Sequence, residues 1–152
     1  MAEVRGRRRI HASQRHIWKV LCDVERFGDW GPWTAYSRRV DRPPGLGAAY
    51  DERSRLLLPV RTENRWRIIE FDPPRRQVHR VESAPMIAVF DRVFELRDEG
   101  GEATTLTLTL EYAPVLGPVG RLLDRLAWRR VQSRRLDAIL DTIERLATQP
   151  AG

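Results

Sequence analysis

Arg92 is the residue best placed by its surroundings to do chemistry. It stands in the alternating row Met86, Ala88, Phe90, Arg92, Phe94, Leu96, and every second side chain of a strand faces one side. A guanidinium in an apolar row needs a partner or water, because an unpaired buried charge is very costly. Glu52 is one candidate partner; an anionic or carbonyl-bearing ligand is another. His79 shares its parity with Gln77, Val81 and Ser83. In an enzyme it would suit general-base work near neutral pH, although a lone histidine is more often a satisfied structural residue. Tyr112 closes the row Leu106, Leu108, Leu110. A base, a cation and a phenol are what enolate chemistry asks for: removal of an acidic α-proton and donors to hold the enolate oxygen.

Two further polar residues come from the end of the chain. Leu122, Leu126, Leu136, Leu140 and Ile143 form one row at helical spacing, and Arg129 and Ser133 sit in its middle. The stretch from Pro118 to about Ala147 contains no other proline, and its one glycine, Gly120, lies in the first turn, so one long helix is expected there. A row that is apolar at both ends and polar in the centre faces either solvent or a space that is not fully packed. The second is the expectation here.

The rest of the chain must position these residues. Val4 to Ala12 reads as a first strand. Ser13 then caps an amphipathic helix carrying Ile17, Trp18, Leu21 and Val24. Phe27 to Trp33 is a compact aromatic turn region with room for one more helical turn. Six strands follow: Thr34 to Val40, Ala48 to Leu58, Arg61 to Phe71, Gln77 to Ser83, Met86 to Arg97 and Ala103 to Tyr112. They are separated by the turn signals Pro43-Pro44-Gly45-Leu46-Gly47, Pro59, Asp72-Pro73-Pro74-Arg75 and Asp98-Glu99-Gly100-Gly101. Ile68-Ile69 breaks the parity of its strand, as a bulge or an edge of the pattern would. Short connections favour antiparallel neighbours, and one long helix is the only cover wide enough for the apolar face. The expectation is an α+β domain: a curved antiparallel sheet of about seven strands around a C-terminal helix, with two short helices after the first strand.

With the apolar parity facing that helix, the inward residues include Tyr50, Glu52, Asn64, Trp66, Ile68, His79, Val81, Phe90, Arg92, Phe94, Leu108 and Tyr112, met from the helix by Leu126, Arg129 and Ser133. Mostly apolar with a few polar groups, this is the composition of a small-molecule pocket; an ordinary filled core is the alternative. The candidate ligand-binding set is Glu52, Asn64, Trp66, His79, Phe90, Arg92, Leu108, Tyr112, Leu126, Arg129 and Ser133. No histidine and carboxylate spacing suits a metal, and no phosphate-binding loop, nucleophile elbow or redox cysteine pair is present, so neither metal nor cofactor is expected.

Composition narrows the classes further. A chain of 152 residues makes one domain, with an ordered core from about residue 3 to residue 147. No run approaches the roughly 18 apolar residues of a membrane span, and the basic N-terminus lacks the apolar stretch of a secretory signal. Cys22 has no internal partner and reads as a buried, inert thiol, consistent with a cytoplasmic protein. The net charge of +6 invites a nucleic-acid reading, but Lys19 is the only lysine, and the arginines are scattered and interleaved with acids. A solvated basic surface is expected instead.

The succession Ala12-Ser13, Ile17-Trp18, Asp23, Phe27 to Trp30, Gly45-Leu46-Gly47, Asp72-Pro73-Pro74-Arg75-Arg76, Gly100-Gly101 and a terminal amphipathic helix resembles the START-like polyketide cyclase/dehydrase and lipid-transport superfamily over essentially the whole chain. One departure is local: Glu102-Ala103-Thr104 follows the glycines where members often place Thr directly. The resemblance implies a helix-grip fold, seven antiparallel strands gripping a long C-terminal helix with a ligand cavity between them. It implies a broad range of functions, among them lipid carriers, quinone-binding proteins, aromatases and cyclases. The reading favoured is binding of a hydrophobic or amphipathic small molecule, such as a lipid, quinone or polyketide, without chemistry on it. The alternative is a polyketide cyclase or aromatase using His79, Arg92 and Tyr112.

Overall fold

A computed structural model describes residues 2–29, 34–39, 43–57, 60–83, 87–114, 117–123, 125, 127 and 129–149. Strand β1 (Ala2–Ile10) leads into helix α1 (Gln14–Cys22) and a short 3-10 segment (Val24–Asp29). Strands β2 (Thr34–Arg39), β3 (Ala49–Leu57), β4 (Val60–Asp72), β5 (Arg76–Ser83), β6 (Ile87–Gly100) and β7 (Ala103–Pro114) follow, and then helices α2 (Gly117–Leu123) and α3 (Arg129–Thr148). The seven strands form one sheet in the order β1-β7-β6-β5-β4-β3-β2, antiparallel throughout. Each expected strand is present, with ends that coincide with the expected ones or differ by at most three residues. Val40, Leu58, Pro59, Met86, Leu126 and the Trp30-Gly31-Pro32-Trp33 turn lie outside the described residues.

Local chemistry accounts for the boundaries. The Ser13 hydroxyl accepts from the His16 amide at 3.2 Å, capping α1, whose Ile17, Trp18 and Leu21 are buried. The register shifts between Ile68 and Glu70, where the repeated isoleucine breaks the alternation. The β6–β7 turn is centred one residue later than the glycine pair suggested. Gly101 and Glu102 both take positive φ (60° each), the backbone of a tight hairpin whose twist matches the strands it joins.

The inner face is mostly apolar around a few buried polar side chains, and the outer face is ionic. Strand register sets Tyr50 opposite Trp66, Glu52 opposite Asn64, His79 opposite Arg92 and Phe90 opposite Tyr112, so their side chains share the inner face. On the outer face, Arg53 meets Glu63 at 2.6 Å, Arg65 meets Asp51 at 2.8 Å and Arg80 meets Asp91 at 2.8 Å, with Arg67 on Glu82 and Arg76 on Glu70 beside them.

Helix α3 lies mainly against β1 and α1, with lighter contact to β7. Gly6 permits this seating: a Cβ at that position would stand 2.2 Å from Leu136 Cδ2 and 3.0 Å from Leu140 Cδ1. Arg8, next on the same parity, ion-pairs with Asp141 and Glu144 of the helix.

The terminal stretch is helical where it is described, and one expectation about it is corrected. Its regular α-helical parts are α2 and α3, and Arg125 and Ala127 between them take a wider, π-type helical turn. The inward stripe of α3 also runs through Gln132, Arg135, Leu136, Ile139, Leu140 and Ile143. Arg129 is exposed, Ser133 is half-buried, and Leu122 of α2 is 57% exposed, so of the row read from the sequence only its later part, Leu136, Leu140 and Ile143, is buried among the described residues.

Candidate functional site: a buried polar cluster between sheet and helix

The centre of the inner face holds a cluster of buried polar side chains. Arg92 on β6 grips Glu52 on β3 with two bonds, Nη1 to Oε2 at 2.8 Å and Nη2 to Oε1 at 2.9 Å. Both side chains are almost wholly removed from water, at 4% and 1% exposure. The planar fork matches the carboxylate edge, and that fit offsets part of the cost of burying both charges. The Arg92 guanidinium also lies over the Trp66 ring, 4.0 Å from its centre. Burial works against the charged form of Arg92. The charge and hydrogen bonds of Glu52 overcome it and hold the guanidinium above its ordinary range.

His79 belongs to the same cluster. Its Nε2 is 2.7 Å from Gln77 Oε1 and its Nδ1 is 2.7 Å from the Tyr50 hydroxyl. A carbonyl oxygen only accepts, so Nε2 carries the proton and Nδ1 accepts from Tyr50. Gln77 Nε2 in turn reaches Cys22 Sγ at 4.0 Å, and the Arg92 charge acts on the Tyr50 hydroxyl. Burial, then the nearby Arg92 charge, pulls the His79 pKa down to about 3. Burial pushes the Tyr50 hydroxyl far above its usual value. The imidazole is therefore neutral with both nitrogens engaged, a satisfied structural position. Cys22 is half-buried rather than buried, and desolvation raises its pKa, which disfavours the reactive thiolate.

Aromatic rings enclose this group. Tyr50 stacks on Trp66 at 6.4 Å, Phe90 meets Trp66 edge-on at 5.7 Å, and Phe90 stacks on Tyr112 at 6.0 Å. Leu108 is fully buried on the neighbouring strand, and Asn64 is half-buried opposite Glu52. Of the candidate residues chosen from the sequence, Glu52, Trp66, His79, Phe90, Arg92, Leu108 and Tyr112 are thus buried together on the inner face, with Asn64 at its margin. Arg129 and Ser133 do not join them, and Leu126 lies outside the described residues.

Helix α3 supplies instead two residues that the sequence reading passed over. Gln132 is completely buried and Arg135 is 9% exposed. They stand three positions apart and so share a face. Burial, then repulsion from Arg92, partly relieved by Glu52, brings the Arg135 pKa down to about 10, which still leaves it charged at neutral pH. Among the described residues four buried side-chain polar atoms have no hydrogen-bond partner: Trp66 Nε1, Arg92 Nε, and both amide atoms of Gln132. Among the described residues no group of three or more His, Cys, Asp or Glu is placed to hold a metal ion.

A seven-stranded antiparallel sheet closed over a C-terminal helix, with a polar centre between them, is the START-type helix-grip arrangement. The chain belongs to the polyketide cyclase/dehydrase and lipid transport family, whose profile matches residues 1–148. Among solved structures, the protein TTHA0849 of Thermus thermophilus is similar at 19% identity and TM-score 0.81, over 96% of this chain and 97% of that one. The Zhui aromatase/cyclase of Streptomyces sp. R1128 is similar at 21% identity and TM-score 0.80, over 96% and 93%. Norcoclaurine synthase of Thalictrum flavum is similar at 14% identity and TM-score 0.75, over 99% and 88%. At these identities the likeness is one of fold. Comparison with curated proteins finds no match. No helix among the described residues is long and apolar enough to cross a membrane.

Proposed function

We propose that this protein binds a hydrophobic or amphipathic small molecule, of lipid, quinone or polyketide type, between the inner face of the sheet and α3, and does no chemistry on it. The observation that carries this reading is the set of unpartnered polar atoms of Trp66, Arg92 and Gln132 amid aromatic and aliphatic side chains. Each buried donor or acceptor left unpaired costs roughly 1–3 kcal/mol. Several of them together in one apolar interior are the expected cost of a site that waits for a ligand's polar atoms.

The test uses N-phenylnaphthylamine, a neutral fluorophore that brightens in apolar surroundings. Saturable uptake at one site per chain, with quenching of Trp66 emission, is the expected result. The absence of saturable uptake, together with no organic molecule co-purifying under native mass spectrometry, would sink the reading. A cyclase or aromatase role draws support from the family and from the fold shared with the Zhui protein. It would require a base other than His79, whose two nitrogens are both engaged. Turnover of a poly-β-ketone thioester by the purified protein would establish that role in place of pure binding.

Two further readings belong to this proposal. The basic surface is not a nucleic-acid site, because much of the arginine on the sheet is matched by carboxylates. A cytoplasmic location fits the single free thiol, and recovery of the protein with membranes would contradict it.

A further inference from the structure

The charges buried between sheet and helix do not sum to zero. Glu52 is answered by Arg92, with two bonds to its two oxygens. His79 is neutral, because its hydrogen bonds fix one proton on the ring. Arg135 remains. It is nine-tenths buried, and no hydrogen bond or ion pair ties it to any described residue. The nearby Arg92 charge acts against it, and the Glu52 charge that would favour it is already engaged. One turn earlier on the same face, the Gln132 amide is buried with neither its nitrogen nor its oxygen bonded. A cation nine-tenths buried with no partner among the described residues, beside an idle amide, carries a standing cost. Replacing Arg135 by an aliphatic residue would remove the cost, so the charge is retained for a partner that the described residues do not supply.

We propose that Arg135, assisted by the Gln132 amide, seats a single carboxylate on the bound molecule, so that the ligand is an amphipathic monocarboxylic acid whose apolar body lies among Trp66, Phe90 and Tyr112. This rests on the binding reading above and names the ligand class for the same site. Two features select a carboxylate. The guanidinium fork offers parallel donors that match two carboxylate oxygens, and one negative charge brings the buried group to neutrality. The unpaired Gln132 nitrogen, and the Trp66 and Arg92 nitrogens on the sheet side, are further donors toward the same acceptor-rich head.

The experiment displaces N-phenylnaphthylamine with matched pairs: octanoate against octanol, dodecanoate against dodecanol, hexadecanoate against hexadecanol. For the chain length that fits, the acid should compete about ten- to a hundredfold better than the alcohol, the range for a hydrogen bond to a charged group converted to an affinity ratio. Arg135→Met should remove most of that gap while leaving the alcohol unchanged. Arg135→Lys should keep part of it, since the charge survives without the fork. Gln132→Leu, a milder change, should narrow the gap severalfold and serves if Arg135→Met does not fold. Without ligand, Arg135→Met should melt at a higher temperature than the parent. Equal competition by acid and alcohol in the parent would overturn the carboxylate inference while the binding reading stands. A gap that survives both Arg135→Met and Gln132→Leu would overturn the assignment of the seat. Failure of every acid and alcohol to displace the fluorophore, or of the fluorophore to bind, would overturn both.

Discussion

Arg92 and Glu52 show how two residues can be indispensable to one another without either being expendable alone. Arg92→Met would leave the Glu52 carboxylate buried and unanswered, a loss of about 3–5 kcal/mol. Part of the Trp66 stacking energy would go with it. Adding Glu52→Gln removes the stranded charge, so the double variant should recover a substantial part of the loss. Urea unfolding midpoints of the four members of this cycle measure the coupling. Strictly additive single losses would show that the two side chains are independent. His79 carries a different signature. In the unfolded chain it takes a proton as the pH falls below 6.5, whereas in the folded protein it resists until about 3. Its contribution is therefore fully present above pH 6.5 and drains away as the pH falls toward 3. His79→Gln keeps hydrogen-bonding capacity and cannot titrate, so its stability should fall less steeply than the parent's across that interval. Parallel slopes would mean that the ring is protonated in the folded state.

At the scale of elements, strands were far more legible than the terminal helix. Alternation is a strict code, and the parity of β3, β4, β5, β6 and β7 assigned Tyr50, Glu52, Trp66, His79, Arg92 and Tyr112 to the inner face from the sequence alone. Even the irregularity at Ile68-Ile69 was visible as a stutter in that code. The helix misled for two physical reasons. Apolar periodicity finds buried positions only when they hold apolar residues, and α3 buries Gln132 and Arg135. The wide turn at Arg125 and Ala127 also breaks the phase between α2 and α3, so the leucines of α2 say nothing about which way α3 faces. Val119, Leu122 and Leu123 are each at least half exposed. The helix arginine expected among the inward residues was Arg129, which is exposed; the buried arginine of α3 is Arg135. Its only available signal was the Gln-x-x-Arg spacing at 132 and 135.

For the whole molecule, the high isoelectric point has a local explanation. Cross-strand pairs such as Arg53–Glu63, Arg65–Asp51 and Arg80–Asp91 turn the outer face into a mixed ionic lattice. The excess positive charge is left partly to exposed arginines of the terminal helices, such as Arg130 and Arg134. Exposed pairs of this kind add little to stability, and their effect on the surface is to keep its potential from concentrating in one stripe. Titration with duplex DNA should accordingly give weak association that fades between low and physiological salt. Tight, sequence-dependent binding at physiological salt would require the basic surface to be reassigned.

Gly6 sets a dimension. With no side chain there, Leu136 and Leu140 drop directly onto β1, and α3 is anchored at one margin of the sheet while Glu52 and Trp66 stand on strands nearer the other. Residue 6 thus acts as a shim beneath one side of a tilted roof, and its thickness fixes how high the roof stands over those distant strands. Gly6→Ala would lift the helix by pressing on Leu136, at a cost of roughly 1–3 kcal/mol if the neighbours cannot yield. The same lift would alter clearance far from the substituted position. If so, the best-fitting member of an acid series should shift to a longer or bulkier chain in Gly6→Ala, with Arg135 and every residue of the polar centre untouched. An unchanged order of preference in a destabilised but folded variant would mean that the height of the roof is set elsewhere.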